Sequence, residues 1–260
     1  MDGFTERLLA TQVEPHKGDQ MFPRTTVTWV TNARNSIEVG LVRPLSVIGS
    51  ARRSGRRLHW MPRNRERIGV LGGTFDPPHI GHLLAAVNVR SALNLDRVLL
   101  VVANEPWQKV GTREISPAVD RLAMVVAAVV DLPGIEASDM EIRRGGPSFS
   151  VETLEALRSG LPDADLFLIV GADAAGALHT WERSRELPAL ATLVLVDRPG
   201  VQADDPPEGW SLERVEIPRV EVSSTDLRSR VVEGRPLDFL IPPSVATCIA
   251  QRRLYGLADS

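Results

Sequence analysis

Residues 68–82 place an apolar run, a glycine pair and two histidines in immediate succession. The apolar run Ile68–Leu71 is followed directly by Gly72 and Gly73, and apolar side chains then recur at helical spacing after His79. These apolar positions are Ile80, Leu83, Leu84 and Val87. The stretch therefore predicts a strand, a glycine turn and a helix, which is the arrangement that presents backbone N–H groups to a phosphate.

The two histidines, His79 and His82, are spaced so that both lie on one face of the predicted helix, at its first turn. Taken separately, a glycine pair is an ordinary turn, and a His-x-x-His pair is usually a pair of surface or capping residues. The combination after a strand, with Asp76 and Pro77 in between, favours a functional site. A zinc site is the competing interpretation, but two histidines without a nearby third ligand make a poor zinc set.

The segment His79-Ile80-Gly81-His82 resembles the His-x-Gly-His signature of a nucleotidyltransferase superfamily. The resemblance implies an α/β fold of the Rossmann-like, doubly wound type, with a mainly parallel sheet and helices on both faces. It also implies that His79 and His82 are catalytic. The residues before them are implied to bind ATP, namely Gly72, Gly73, Thr74 and Phe75.

A second phosphate-binding segment is predicted near the end of the chain, at residues 222–228. Free N–H groups at a helix start, three hydroxyls and an arginine one turn later make a strong anion site, although the bare motif is also an ordinary N-cap. The segment resembles the superfamily's Ser-Ser-Thr-x-x-Arg element. The resemblance implies that Arg228 is catalytic and that the hydroxyl residues bind the ATP triphosphate: Ser223, Ser224 and Thr225.

Two further cationic side chains follow predicted buried strands. The strand Arg97–Val102 leads into a polar loop that contains Lys109, and the strand Thr192–Val196 is followed by Arg198. Ligands collect beyond the carboxyl ends of strands in open α/β sheets. A loop lysine taken alone is usually solvated. The resemblance implies that Lys109 is a catalytic contact to substrate phosphates and that Arg198 lies in the loop on the adenine side of ATP.

Other segments predict helices and strands that have a structural role only. Ser116 and Pro117 form a good helix start, and Asp120 and Arg121 in that helix are predicted to fix the loop before it. Residues 134–142 predict a strand, and residues 214–217 predict the last strand. A final helix from about residue 243 to 253 suggests no chemistry.

The substrate that accepts the nucleotidyl group is indicated by two other segments. The central strand Asp165–Val170 ends in Gly171-Ala172-Asp173, and Trp181 follows. An acid past a strand end can accept hydrogen bonds from a ribose, and a tryptophan can stack on a heteroaromatic ring, although core filling is the alternative for Trp181. This spacing is similar to the nicotinate-mononucleotide branch of the superfamily. It implies that Gly171 and Asp173 bind ATP and that Trp181 binds the mononucleotide.

Phe149 and Ser150 open a helix and resemble the branch's segment that meets the nicotinate carboxylate, with Phe and Ser in place of the usual Tyr and Thr. A contact through backbone N–H groups would survive both differences. The resemblance therefore implies a nicotinate-nucleotide adenylyltransferase, which joins ATP and nicotinate mononucleotide into the deamido dinucleotide and pyrophosphate in NAD biosynthesis. The alternatives are transfer to nicotinamide mononucleotide or phosphopantetheine, and a nucleotide-sensing module without catalysis.

Direct in-line attack is expected, since the single cysteine, Cys248, lies outside every phosphate motif. Mg²⁺ is expected as the cofactor, bridging the phosphates without protein ligands. One cysteine excludes an internal disulfide and fits a reducing compartment, so the expected location is the cytoplasm. No stretch approaches the ~20 apolar residues of a membrane span. A homo-oligomer is left open.

Residues 1–65 differ in composition from the predicted catalytic domain at 66–257. They contain eleven Lys and Arg against five Asp and Glu, whereas the whole chain of 260 residues has a net charge of −3. A disordered or non-core extension is predicted. The alternatives are a nucleic-acid or regulatory arm and translation from Met61. The mildly acidic remainder gives no sign of a general nucleic-acid surface.

Overall fold

The computed structural model describes residues 65–107, 114–197, 206 and 209–256. These residues build one six-stranded, entirely parallel sheet in the order β3-β2-β1-β4-β5-β6. The strands are β1 Arg67–Gly73, β2 Arg97–Val102, β3 Ile135–Ser138, β4 Asp165–Gly171, β5 Thr192–Asp197 and β6 Leu212–Glu216. The helices are α1 Ile80–Ala92, α2 Ala118–Val129, α3 Met140–Arg144, α4 Ser150–Gly160, α5 Ala172–Ala175, α6 Leu187–Leu190, α7 Ser224–Val232 and α8 Pro243–Gln251.

The strand order reverses between β1 and β4. The chain builds β1, β2 and β3 outward in one direction and then returns to place β4, β5 and β6 on the other side. The pairing of β1 with β4 reaches Val70 opposite Leu168, whereas β1 itself extends to Gly73 and β4 to Gly171. The last residues of the two strands therefore diverge. In doubly wound sheets, ligands bind in the crevice at this switch point.

Two apolar cores lie on opposite faces of the sheet. Along β2, Val98, Leu100 and Val102 enter the core that α1, α2, α7 and α8 cover, whereas Leu99 and Val101 enter the core that α4, α5 and α6 cover. Successive side chains of a strand point to opposite faces, so a strand buried on both sides must be apolar throughout. The predicted fold class, a doubly wound parallel sheet with helices on both faces, is confirmed.

Two local predictions need correction. The strand predicted over residues 134–142 ends at Ser138, and α3 begins at Met140, whose N–H donates to the Ser138 hydroxyl oxygen at 3.5 Å and so turns the chain away from the sheet. Helix α1 is where the sequence predicts it, but Val87 is 39% exposed while Ala85 and Ala86 are buried. Small alanines let the helix lie close to the sheet, so the buried face is rotated from the one predicted.

The C-terminal helix packs beside α2. The Ser244 hydroxyl donates to the Ala127 carbonyl oxygen at 2.6 Å, and a 3₁₀ turn over Leu254–Gly256 follows α8. In the part of the chain that the structure describes, no helix combines the length and apolar character that crossing a bilayer requires. The predictions for residues 1–64, Lys109 and Arg198 lie outside the described residues.

Candidate active site

Two cavities open in the crevice between β1 and β4, and both are lined by Leu71 and Gly171. The first, of about 530 Å³, contains Trp181 and is called the Trp181 cavity. The second, of about 420 Å³, contains His82 and is called the His82 cavity. Because they share the ends of the two central strands, ligands in the two cavities would meet at the switch point of the sheet.

The two histidines form a stacked pair at the start of α1. His79 is the N-cap residue, and its backbone N–H donates to Nδ1 of His82 at 3.1 Å. The imidazole centroids are 3.7 Å apart with an interplanar angle of 26°. A nitrogen that accepts a hydrogen bond carries no proton, so the proton of the neutral His82 ring is on Nε2. His82 can therefore donate from Nε2 to an anion in the His82 cavity.

The Phe75 ring packs against this pair. Its ring is buried and meets the His82 ring edge-on, with centroids 4.9 Å apart. A Cβ on Gly73 would lie 2.8 Å from the Phe75 ring, so the position of Phe75 requires glycine there. A Cβ on Gly72 would meet nothing within 4 Å, so a side chain at this position would project into the Trp181 cavity. Phe75 lines neither cavity, and its side chain belongs to the core.

Helix α7 contacts the stretch from Gly72 to His82, called the histidine segment, although the two lie far apart in sequence. The Ser223 hydroxyl caps α7 by accepting from the Asp226 N–H at 3.2 Å. Ser224 Oγ donates to the Pro77 carbonyl oxygen at 2.9 Å, and Arg228 Nη1 donates to the Asp76 carbonyl oxygen at 2.7 Å. The structure thus brings part of both predicted segments together in the His82 cavity: His79, His82, Ser223, Ser224, Thr225 and Arg228. Gly72, Gly73 and Thr74, which the resemblance assigns to ATP, line the Trp181 cavity instead.

The first turn of α7 also carries an acid, Asp226, which is neutralised locally. A hydrogen bond from Arg230 holds the pKa of Asp226 below its ordinary value, and Arg235 contributes further positive charge. The carboxylate is therefore paired on the surface of α7. The paired carboxylate therefore repels an anion bound at the N-terminus of α7 less strongly than an unpaired carboxylate would.

Arg121 ties the loop after β1 to the loop after β2. Its side chain is 1% exposed, and its guanidinium donates to four backbone carbonyls at 2.6–2.9 Å. The acceptors belong to Thr74, Ala103, Asn104 and Ser116. The prediction that this helix fixes the loop before it is confirmed for Arg121, and the structure adds the glycine-turn residue Thr74 to its partners. The Asp120 side chain forms an ion pair with Arg252. A buried guanidinium with several carbonyl partners is satisfied as a donor.

The Trp181 cavity is walled by aromatic rings and a helix start. Phe149 is the N-cap residue of α4 and Ser150 its first residue, so unpaired first-turn N–H groups are expected at the cavity edge. Trp107 also lines the cavity, with its ring centroid 6.3 Å from that of Phe149. The sequence assigned no role to Trp107.

The loop that carries Trp107 is fastened to the loop before Phe149. The Asn104 N–H donates to Ser148 Oγ at 2.8 Å, and its side-chain amide donates to the Gly146 carbonyl oxygen at 3.0 Å. The Ser148 N–H donates to the Glu105 carbonyl oxygen at 3.0 Å. These bonds hold the two loops together as one wall.

Two residues of the site gave no signal in the sequence. Glu141 lines the Trp181 cavity, is buried and accepts from the Thr153 hydroxyl. Tyr255, the single tyrosine of the chain, donates to a carboxylate oxygen of Asp76 at 2.9 Å. Of the remaining predicted residues, Gly171 lines both cavities. Asp173 lies in α5, and its side chain is outside the described part.

The fold and the site together define a Rossmann-type enzyme that binds nucleotide phosphates. Comparison with known proteins narrows this class. The model of the cytidylyltransferase-like family matches residues 70–230. A relative from Streptomyces coelicolor is 47% identical over 188 residues, which are 71% of this chain and 98% of the relative. A relative from Corynebacterium kroppenstedtii is 43% identical over 195 residues, 74% of this chain and 92% of the relative.

Both relatives carry the name "Probable nicotinate-nucleotide adenylyltransferase". The chain belongs to the nicotinate-nucleotide adenylyltransferases within the cytidylyltransferase-like family. The solved structure of Plasmodium falciparum nicotinic acid mononucleotide adenylyltransferase, complexed with NaAD, has the same fold. It superposes with a TM-score of 0.63 at 16% identity and covers 75% of this chain and 99% of its own.

Proposed function

We propose that this chain transfers the adenylyl group of ATP to nicotinate mononucleotide, with ATP in the His82 cavity and the mononucleotide in the Trp181 cavity. The reaction yields nicotinate adenine dinucleotide and pyrophosphate and is a step of NAD biosynthesis, as family membership indicates. The observation that supports the assignment of cavities is their contrast: the histidines, Arg228 and the start of α7 line one, and the aromatic rings line the other. The two cavities meet at Leu71 and Gly171, and the glycine turn at Gly72 and Gly73 lines the aromatic cavity next to this junction.

The triphosphate of ATP suits the His82 cavity because cations and donors converge there. The N-terminus of α7 contributes free N–H groups and a partial positive charge, and Arg228 adds a full charge in the same cavity. His82 contributes a neutral donor. Lys109 is proposed as a further cationic contact and Arg198 and Asp173 as contacts on the nucleoside side, as the family resemblance implies.

The mononucleotide suits the Trp181 cavity for two reasons. The faces of Trp181 and Trp107 can stack on a pyridine ring, and the start of α4 at Phe149 and Ser150 can receive its carboxylate through backbone N–H groups. A backbone contact does not depend on the Tyr or Thr hydroxyl found elsewhere in the family.

The chemistry is one direct displacement. An oxygen of the mononucleotide phosphate attacks the α-phosphorus of ATP, a P–O bond forms, and the bond to the bridging oxygen of the departing pyrophosphate breaks. A phosphate is ionised at neutral pH, so no general base is required. His79, His82 and Arg228 stabilise the charge that moves to the leaving group, and catalysis consists of positioning and electrostatics.

Mg²⁺ is proposed to accompany ATP. Among the described residues, no group of three His, Cys, Asp or Glu side chains is placed to hold a metal ion. The proposal that phosphate oxygens hold the ion rests on the general preference of Mg²⁺ for substrate phosphates. When bound, the ion neutralises part of the triphosphate charge. The residues of the His82 cavity orient the triphosphate and donate to its oxygens.

A pyrophosphate-release assay tests the proposal. With ATP and Mg²⁺ present, turnover is expected with nicotinate mononucleotide and a much lower kcat/KM with nicotinamide mononucleotide or phosphopantetheine. A preference for phosphopantetheine would refute nicotinate mononucleotide as the acceptor but would leave the assignment of ATP to the His82 cavity unaffected. Nucleotide binding without pyrophosphate release from any of the three would identify a sensing module instead.

A further inference from the structure

Asp76 is the one acid of the histidine segment, and several groups hold it, among them the Ser116 N–H, which donates to Oδ2 at 3.5 Å. Its side chain is 1% exposed, and Oδ1 accepts a hydrogen bond from the Tyr255 hydroxyl at 2.9 Å. Its backbone carbonyl oxygen accepts from Arg228 Nη1 at 2.7 Å. A buried carboxylate is costly unless it is hydrogen-bonded, so the Tyr255 hydroxyl contributes to fixing the position of Asp76.

Tyr255 reaches Asp76 in an unusual backbone conformation. It lies in the 3₁₀ turn after α8 with φ at 64° and ψ at 31°, in the left-handed region that residues other than glycine seldom adopt. Its hydroxyl also lies 3.6 Å from the Met124 sulfur. A chain keeps such a conformation where the surrounding contacts determine it, and the bond to Asp76 is one such contact.

Tyr255 lies outside both substrate cavities. It lines a neighbouring cavity of about 630 Å³, which shares Thr225 and Arg228 with the His82 cavity. Tyr255 is therefore separated from the proposed ATP position by Asp76 and Arg228. It can affect the reaction through these two residues and not by touching the nucleotide.

We propose that Tyr255 is a positioning residue of adenylyl transfer. Its hydroxyl fixes the Asp76 side chain, and this holds the Asp76 backbone carbonyl oxygen, which orients the Arg228 guanidinium. The same bond holds the backbone that leads from Asp76 to His79. The inference rests on the proposed function, because it takes the His82 cavity as the triphosphate site. Arg228 has planar, directional donors, so an acceptor that moves redirects its charge. A misplacement of about 1 Å in such a site costs up to about 100-fold in rate.

The phenol serves as a fixed donor and not as an acid or base. Burial, together with the neighbouring Asp76 carboxylate, raises the pKa of Tyr255 well above its ordinary value. The hydroxyl proton consequently stays in place at every pH at which the enzyme is assayed. A positioning role predicts that the effect of removing the hydroxyl is the same at pH 7 and pH 9.

The test is Tyr255→Phe, which keeps the ring and removes the hydroxyl. Pyrophosphate release with ATP and nicotinate mononucleotide should show kcat lowered about 10- to 100-fold, with KM for the mononucleotide within about twofold. In an Arg228→Lys background, the same substitution should lower kcat by less than about threefold further. Lysine lacks the planar guanidinium that the Asp76 carbonyl oxygen orients, so there is little orientation left to lose.

Two control variants separate positioning from loss of stability. Ser244→Ala removes a hydrogen bond between α8 and α2, and Met124→Leu removes the sulfur beside the Tyr255 hydroxyl; neither touches the bond to Asp76. Both should keep kcat within about twofold. All variants are assayed at a temperature at which circular dichroism shows each to be folded.

Unchanged kcat in Tyr255→Phe, or an equal loss in Ser244→Ala, would overturn the positioning role. If Tyr255→Phe lowers kcat as much in the Arg228→Lys background as in the unsubstituted chain, Tyr255 does not act through Arg228. If the unsubstituted chain itself releases no pyrophosphate with nicotinate mononucleotide, the proposed function fails first, and this outcome is distinct from the other two.

Discussion

The backbone N–H of His79 donates to Nδ1 of His82, so one imidazole caps helix α1 and keeps Nε2 as its donor nitrogen. The two nitrogens of His82 thus have separate tasks, one in capping α1 and one proposed for the triphosphate. This division can be tested because asparagine places an acceptor near the position of Nδ1 but nothing near Nε2.

His82→Ala and His82→Asn are expected to lower kcat equally, by about 10²–10³-fold, because both remove the Nε2 donor. They should differ in stability: His82→Ala also loses the cap, at about 1 kcal/mol, and His82→Asn retains it. Pyrophosphate release and urea unfolding provide the two measurements. Full turnover in His82→Ala at saturating ATP would make this mechanism untenable.

Ser224→Ala should lower kcat/KM for ATP about tenfold. The substitution removes the bond to the Pro77 carbonyl oxygen, which joins α7 to the histidine segment, and so loosens a contact that positions the proposed triphosphate donors. The matched control is Ser229→Ala one turn later, whose hydroxyl bonds to the Thr225 carbonyl oxygen within the helix. A similar loss in both variants would indicate a general effect on α7.

Arg121→Met should lower the free energy of unfolding by at least about 3 kcal/mol, because several buried carbonyls lose their donor at once. Arg252→Met is the control, since the Arg252 side chain is exposed, so solvent screens its ion pair with Asp120 and its loss should change stability far less. Denaturant unfolding of both variants measures the difference. Near-equal losses would show that the Arg121 bonds add little.

The order of the elements and the histidine pair could be predicted from sequence because both depend on local patterns. The stacking of His79 on His82 follows from residues one helical turn apart. The contact of Tyr255 with Asp76 joins residues 179 positions apart, and no local pattern records it. That the two phosphate-binding segments serve one site was implied by family resemblance alone, since neither segment carries a physical sign of the other. The contact of Ser224 with Pro77 is a finding of the structure.

The same limit explains the errors. The end of β3 at Ser138 and the exposure of Val87 depend on how each segment packs against others, and apolar spacing within one segment does not contain that information. For Arg121, the sequence predicts contacts only to the loop before its own helix, whereas the acceptors at Thr74 and Ala103 lie in the loops after β1 and β2.

Trp181→Ala should raise KM for nicotinate mononucleotide about 10- to 100-fold, the equivalent of about 1–3 kcal/mol of ring stacking, with little change in KM for ATP. Trp181→Phe keeps an aromatic face and should recover most of the affinity. Steady-state kinetics with each substrate varied in turn provides the measurement. Equal effects on both substrates would place Trp181 in the scaffold of the crevice, as the core-filling interpretation holds.

A variant that begins at Met61 should keep kcat within about twofold of the full chain. Relatives of the family are covered over 92–99% of their length by 71–76% of this chain, so the catalytic domain proposed at residues 66–257 should not need the basic extension. Loss of activity in the shortened variant would refute this domain boundary. A nucleic-acid role for the extension would instead appear as salt-dependent binding by the full chain and not by the shortened one, with catalysis unchanged in both.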